Sequence, residues 1–305
     1  MRLNMKISVL TPSYNRGILL KNLYNSLLKN KNYAEIEWLI MDDGSTDETK
    51  QIIEKLKSAQ EPHIEIKYFY EENQGKMVAI NNLVEKATGD LIVDCDSDDY
   101  FTDNAFKIIS KEYEKYKEDK SQGIYAFCFL KSNQNGKNMG EKFKKPVTTM
   151  FDLYFKEGED GEKALVFISD IRKKYKHKLE HNEKFVTEAR MYHEMDLQYK
   201  IKCVNETIMI CEYQEAGYTK NINQQFIKNP YGYYKYFQEI LQHNMQGVTW
   251  NKRLYAIKHY ILFSYLTKQY SMKNINGLEN KFLYVLLLMP GILKSKKFVE
   301  STQNW

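Results

Sequence analysis

What this chain lacks narrows it first. Its 305 residues include four cysteines, Cys95, Cys128, Cys203 and Cys211, so far apart that no CxxC pair exists to form a metal or redox motif. All four fall in strand-like stretches and read as reduced, buried thiols of a cytosolic protein. No run reaches the roughly 18 apolar residues of a spanning helix, which leaves only peripheral contact with a membrane. The first strand-like stretch, Lys6-Ile7-Ser8-Val9-Leu10, follows the amino terminus without an apolar leader core, which argues against secretion. No GxGxxG occurs. Gly75-Lys76 is not the end of a Walker A loop, because Tyr70 stands where its first glycine belongs and Met77 where its serine or threonine belongs. Nor does charge of one sign dominate. The 45 basic and 40 acidic residues give +5, which favours anionic ligands or an anionic membrane surface and is too weak to argue for nucleic acid.

What is present is an ordinary globular composition, 43% hydrophobic and 28% charged, with room for one large domain or two smaller ones. Strands rich in Ile, Val, Leu or aromatic residues are expected at 6–11, 37–41, 64–70, 91–94 and 124–130. Between them Leu19, Leu20, Leu23, Leu27 and Leu28 recur at helical spacing, as do Ile52, Ile53 and Leu56, and then Val78, Ala79, Asn82 and Leu83. Repeated βα units imply an α/β fold, a mostly parallel sheet with helices on both faces. Such sheets bind ligands outside the carboxyl ends of their strands.

The candidate motifs fall at those ends. The densest is Asp90-Leu91-Ile92-Val93-Asp94-Cys95-Asp96-Ser97-Asp98-Asp99-Tyr100. A buried strand cannot hold that much unpaired charge, so the acids belong at its exit, where carboxylates two apart converge on a hard divalent cation completed by substrate phosphates. An EF-hand starting at Asp94 fails, because Asp99 takes the glycine slot and Ala105 the glutamate slot. An acidic loop capping a helix near Asp103 is the structural alternative. In Thr11-Pro12-Ser13-Tyr14-Asn15, Pro12 is expected to stop the strand, Tyr14 offers a ring to stack on a flat base and Asn15 an amide to bond it; a plain strand-to-helix turn also explains these residues. In Met41-Asp42-Asp43-Gly44-Ser45-Thr46-Asp47-Glu48, Ser45 and Glu48 read as a capping box. Asp42 and Asp43 have no such explanation and suit the imide N–H of uracil or another base edge. In Glu72-Asn73-Gln74-Gly75-Lys76-Met77, Gly75 and Lys76 open a helix and aim backbone N–H groups and one cation at the same edge, with a solvated helix-start lysine as the plainer reading of Lys76.

Taken in order, Leu10-Thr11-Pro12-Ser13-Tyr14-Asn15, Ile40 to Asp47, Asn73-Gln74-Gly75-Lys76, Ala79-Ile80-Asn81 and Asp96-Ser97-Asp98-Asp99 resemble the family 2 glycosyltransferases, of the type that builds bacterial cell-surface polysaccharide. The resemblance runs well through residue 105 and more loosely through a later segment. It implies a GT-A fold, Rossmann-like, with Mn²⁺ or Mg²⁺ dependence and inversion at the anomeric carbon. It divides the chain into a catalytic domain at 1–220, with a nucleotide-sugar half at 1–130 and an acceptor half at 131–220, and a C-terminal helical region at 221–305. It implies that Thr11, Pro12, Tyr14 and Asn15 surround the nucleoside and that Asp43, with Asp42, reads the base. Gly75, Lys76 and Asn81 then belong to the nucleotide-sugar site. Asp96 approaches the ribose or the metal, and Asp98 and Asp99 ligate the metal as a DxD-type motif.

The same resemblance implies a base from an acidic pair at a helix start, best matched by Glu183-Lys184-Phe185-Val186-Thr187-Glu188-Ala189-Arg190. Thr187 is expected to cap a helix with Glu188 at its first position. Glu188 is therefore the expected base, although the second acid of the pair is Ala189 here. Glu194 and Asp196 are alternatives that turn onto different helix faces, and His193 reads as a surface or packing residue rather than a third metal ligand. A strand is expected at 161–169, a helical turn at 170–175 and a strand at 203–212, followed by an aromatic loop, Tyr213 to Thr219, that either closes over a ligand or is plain surface. Helical spacing then recurs at 231–243, 251–270 and 279–288, ending before Pro290 and Gly291. The run Phe282 to Met289, flanked by Lys281, Lys294, Lys296 and Lys297, is either core or an interfacial helix on an anionic inner leaflet.

The expected activity is transfer of a hexosyl or N-acetylhexosaminyl group from a nucleotide-diphospho-sugar, uridine by resemblance, to a hydroxyl of a saccharide or lipid-linked saccharide, in the cytoplasm. A non-catalytic nucleotide-sugar-binding module stays open because of Ala189. A sugar nucleotidyltransferase lacks the second basic cluster that a triphosphate needs.

Overall fold

The computed structural model describes residues 5–59, 61–212, 221–273 and 275–303, so the aromatic loop from Tyr213 to Thr219 lies outside the described residues. The chain groups into two compact units, Met1–Met150 with Glu159–Lys176 and His193–Gln214, and Phe151–Gly158 with His177–Tyr192 and Glu215–Trp305. The second unit therefore recruits two segments that precede residue 221, in addition to the C-terminal helices.

The first unit alternates β1 (Lys6–Ser13), α1 (Leu20–Asn30), β2 (Glu35–Asp43), α2 (Thr49–Ser58), β3 (Ile64–Glu71), α3 (Lys76–Lys86) and β4 (Leu91–Asp94). It continues with β5 (Asp99–Phe101), α4 (Ala105–Glu118), β6 (Ile124–Asn133), β7 (Val147–Thr148), β8 (Lys163–Ile168), α5 (Ser169–Arg172) and β9 (Lys200–Cys211). Among the described residues these strands form one sheet in the order β3-β2-β1-β4-β8-β6-β9-β5, with β7 on β9. The βα repeats give parallel β3, β2, β1 and β4, as expected. The far half is mixed rather than parallel: β8 runs antiparallel to β4 and β6, and β5 antiparallel to β9. Antiparallel neighbours need no helical crossover, so this half carries fewer helices than a βα count predicts.

Local sequence explains the elements that matter most. Leu20, Leu23 and Leu27 lie on one face of α1 and are fully buried, each contributing about 2 kcal/mol by leaving water. They join Trp38, Ile36 and Ile40 of β2 in the main core, where the Tyr24 and Trp38 rings stack 6.1 Å apart. Pro12 does not stop β1, which continues to Ser13 with Pro12 opposite Met41. Leu10 turns its carbonyl to Cys95, on the β4 side, and Pro12 shares that orientation. Because β4 ends at Asp94, the missing proline N–H faces no ladder partner and costs nothing. Of the four free cysteines Cys95, Cys128 and Cys211 are buried, and Cys203 on β9 is only half-buried.

The second unit holds α7 (Ile222–Lys228), α8 (Pro230–Gln242), α9 (Trp250–Thr267), α10 (Leu278–Gln303) and a π-helical turn at Asp152–Lys156; α6 (Ala189–Asp196) carries the boundary between units. Its core is aromatic, with Tyr233 stacked on Phe263 at 5.1 Å and Phe237 on Phe263 at 5.6 Å. The expected stop before Pro290 does not occur, since α10 runs through it. Gly291 explains the continuation: a Cβ there would lie 2.7 Å from Ile261, so α10 is pressed onto α9 at this point and packing overrides the proline. The N–H that Pro290 lacks would have faced Leu286, on an exposed face where water serves instead. That face is a stripe of Leu278, Phe282, Val285, Leu286, Met289 and Leu293, each 58–85% exposed, opposite the buried Tyr284 and Ser295. Among the described residues no helix is long and apolar enough to cross a membrane.

Candidate functional site

Register places Ser13 beside Asp42, Asp43 beside Glu71 and Leu10 beside Asp94, so the loops after β1, β2, β3 and β4 leave the sheet at one edge. Those four loops are tied into a closed ring. Asn15, at φ 52°, links the first two: its N–H donates to Ser45 Oγ at 2.9 Å and its Oδ1 accepts from the Thr46 N–H at 2.8 Å. Asp43 links the second to the third, taking the Gln74 N–H at 2.7 Å on Oδ1 and the Gly75 N–H at 2.9 Å on Oδ2. Gly75 sits at φ 99°, a conformation that costs glycine little and lets two successive N–H groups point at one carboxylate. Lys76 Nζ links the third loop to the acidic loop, donating to Asp96 Oδ2 at 2.7 Å. Arg16 Nη1 closes the ring on Asp98 Oδ2 at 2.8 Å.

This ring gives several expected site residues structural partners. The capping box does not form, because α2 begins at Thr49, whose N–H goes to Asp47 Oδ1 at 3.0 Å, and Ser45 is held back in the loop by Asp42 Oδ1 at 2.8 Å. Asp42 Oδ2 also accepts from the Tyr68 hydroxyl at 2.9 Å, so Asp42 and Asp43, both buried, have the structural explanation that a capping pattern alone does not supply. Thr11 is buried under the edge and accepts the Trp38 indole N–H at 2.9 Å, with Pro12 buried beside it. Tyr14, in contrast, is 49% exposed. Asn81 lines a cleft of about 230 Å³ with Val84, Glu85, Lys173, Tyr175 and Lys176.

The acidic loop distributes its charge over three cations. Among the described residues no three carboxylate, imidazole or thiol side chains converge on one metal position. Asp96 faces Lys76, Asp98 faces Arg16, and Asp99, on β5, faces Lys131 of β6 at 3.0 Å. Asp99 also receives the Cys211 thiol at 3.5 Å, which commits it to the sheet more than to the open edge. Burial pushes the Asp98 carboxyl up to about 6, against the pull of Arg16 and with help from Asp96 and Asp99. Burial raises Asp99 as well, while Lys131 is kept charged because Asp99, Cys211 and Glu162 outweigh its own desolvation. Hard carboxylate oxygens at an open sheet edge suit a divalent cation, and Asp96 with Asp98 is the pair there that could hold one. Arg16 and Lys131 have no short-range signature; their only cue is a basic residue directly after Asn15 and a lysine late in a strand.

In the second unit, α6 starts at Ala189, so Glu188 occupies the preceding turn rather than the first helical position. Its carbonyl accepts the Met191 N–H at 3.0 Å and its Oε2 accepts the Tyr192 hydroxyl at 3.1 Å. Arg190 anchors this turn through Glu239 and Glu180, at 2.8 and 2.9 Å. Asp196 is engaged by the Tyr125 hydroxyl at 3.2 Å and the Met150 N–H at 3.1 Å, and His193 is buried, as a packing residue would be.

Comparison with known proteins bears on the fold and the family. A beta-1,3-glucosyltransferase of Campylobacter jejuni, named for its GalNAc(5)-diNAcBac-PP-undecaprenol substrate, is 29% identical over 133 residues, 43% of this chain and 40% of its own. The chain spans less than half the length of this and other curated relatives it matches. S. aureus TarS 1-349 in complex with UDP-GlcNAc superposes with a TM-score of 0.60 at 19% identity, over 94% of this chain and 80% of that one. A Pyrobaculum calidifontis mannosyltransferase in complex with GDP-Man and Mn²⁺ superposes at 0.56 and 14% identity, over 98% and 83%. Both likenesses are of fold, and the fold is GT-A. The model of glycosyl transferase family 2 matches residues 8–189, more than half of the chain, and the chain belongs to that family.

Proposed function

We propose that this protein is a metal-dependent, inverting glycosyltransferase that moves a sugar from a uridine diphosphate donor to a hydroxyl of a saccharide or lipid-linked saccharide. The observation that carries this reading is the ring of loops at the sheet edge, where Asp96 and Asp98 each hold a cation in a chain of family 2. The exposed Tyr14 ring stacks on the base, and Asp42 and Asp43 keep the loops around it in shape. Lys76 and the amino end of α3 face the diphosphate, and Asp96 and Asp98 hold the metal with Asp99 behind them. A bound Mn²⁺ or Mg²⁺ supplies Lewis-acid stabilisation of the charge that develops on the departing diphosphate. Glu188 takes the acceptor's proton, so that the new glycosidic bond forms as the sugar–phosphate bond breaks.

Calorimetry with UDP, GDP and CMP, each with Mn²⁺ and with EDTA, tests the donor site. Metal-dependent binding of UDP is the expected result, and no response to any of the three overturns the reading. Glu188→Gln is expected to lower kcat by about 100-fold or more while donor affinity stays. Unchanged turnover moves the base elsewhere, and wild-type binding without turnover on any acceptor favours a binding module.

The exposed stripe of α10 supports a second element of the proposal, peripheral docking on the cytoplasmic membrane face. Six large apolar side chains fall within about 100° of the helix surface, and Lys281, Lys294, Lys296 and Lys297 flank them. Co-sedimentation with anionic but not neutral vesicles is expected, and Phe282→Asp with Leu286→Asp should abolish it. Equal sedimentation of the double variant removes this element.

A further inference from the structure

The four links of the loop ring are of two kinds. Two are made by neutral groups or backbone N–H donors, at Asn15 and Asp43. The other two, Lys76–Asp96 and Arg16–Asp98, are ion pairs between partly exposed cations and the acids that suit a metal. Arg16 uses one of its five N–H donors on Asp98 and is a quarter exposed, so its planar guanidinium fork keeps donors for a second anion such as a phosphate.

Charge counting gives this arrangement a consequence. Two aspartates and two basic side chains sum to zero. A divalent cation added alone leaves about two uncompensated positive charges in a half-buried site, and a nucleoside diphosphate added alone leaves a similar negative excess. Added together they nearly cancel. Asp96 and Asp98 would then hold the metal, and Arg16 and Lys76, no longer needed on the aspartates, would be available to the diphosphate.

We propose that Arg16 is an exchangeable cation of the donor site, paired with Asp98 in the free protein and with the donor's diphosphate in the loaded one, and that this exchange makes metal and nucleotide bind cooperatively. The inference rests on the donor-site reading above and adds to it a residue, Arg16, and the exchange of ion pairs from which the coupling arises.

Isothermal titration of Mn²⁺ alone, UDP alone and each in the presence of the other, in wild type, Arg16→Gln and Arg16→Lys, tests it. Wild type is expected to show coupling of about tenfold between the two ligands. In Arg16→Gln, Mn²⁺ alone should bind several-fold more tightly because Asp98 is released, while UDP with Mn²⁺ binds about tenfold more weakly and the coupling collapses. Arg16→Lys should restore part of it, and it carries the test if the glutamine variant fails to fold. Parallel weakening of Mn²⁺ and UDP, or no change in either, overturns the exchange and leaves Arg16 a structural or solvated residue. Absence of Mn²⁺-dependent UDP binding in wild type instead overturns the donor-site reading, so the two failures are distinguishable.

Discussion

Acids withdrawn from water occur at both ends of the parallel strands, and two of them, Glu37 at one end and the half-buried Asp98 at the other, are treated in opposite ways. Near the amino ends, Glu37 of β2 is fully buried, and its carboxylate accepts from Ser8 Oγ at 2.5 Å, the Thr88 N–H and hydroxyl, the Gly89 N–H at 3.1 Å and Lys67 at 3.1 Å, with Lys6 at 3.2 Å. Burial alone would raise Glu37, yet the Ser8, Thr88 and Lys67 bonds outweigh it and hold the carboxyl down at about 2. At the carboxyl ends, Asp98 has one cation, two acidic neighbours and a carboxyl raised to about 6. The difference separates two uses of a buried charge. An acid with every lone pair filled holds structure together; an acid left short of donors is held ready for something that arrives later.

Exchanging these roles should fail in predictable directions. Glu37→Gln is expected to cost about 3 kcal/mol of stability, read by urea unfolding, with UDP and Mn²⁺ affinity unchanged. Asp98→Asn should do the reverse, lowering UDP affinity in the presence of Mn²⁺ by about tenfold while the unfolding midpoint stays or rises. Loss of stability in the second variant would erase the distinction. The pH dependence sharpens it further. Because the folded Glu37 carboxyl lies below its ordinary 4.5, its contribution is complete above that pH and is lost as pH falls toward 2, by about 3 kcal/mol in all. Asp98 lies above its ordinary 3.8, so the metal-free protein should gain stability as pH falls from about 6 toward that value. Acid unfolding of wild type and the two variants should show each limb disappear with its own substitution. The smallest expected effect is Tyr68→Phe, which removes one hydroxyl from Asp42 and should cost about 1 kcal/mol, with no change in metal affinity.

The strands and helices of the first half were legible because β-branched runs and leucine spacing are local signals, and the motif loops were legible because they follow those strands. The ties among the loops were not. Arg16 and Asp98 are 82 residues apart, and Lys131 and Asp99 are 32 apart, distances over which no spacing rule operates. Glu37 was hidden for another reason: in Glu35-Ile36-Glu37-Trp38 the alternation reads as an acidic solvent face, and only the lysines and the Thr88-Gly89 turn that cover it make it interior. Pro12 and Pro290 both read as stops and are not, because a proline breaks only a bond that would otherwise be made.

The ring at the sheet edge also constrains how this protein can vary. Each of its four loops is pinned to two neighbours, so a residue inserted in one would have to be absorbed by the loops on either side and by the strands beneath them. Side chains there can be exchanged one at a time, but loop lengths are locked together. Tolerance for added length should instead lie in stretches such as the exposed turn at 134–137, which the ring does not bind.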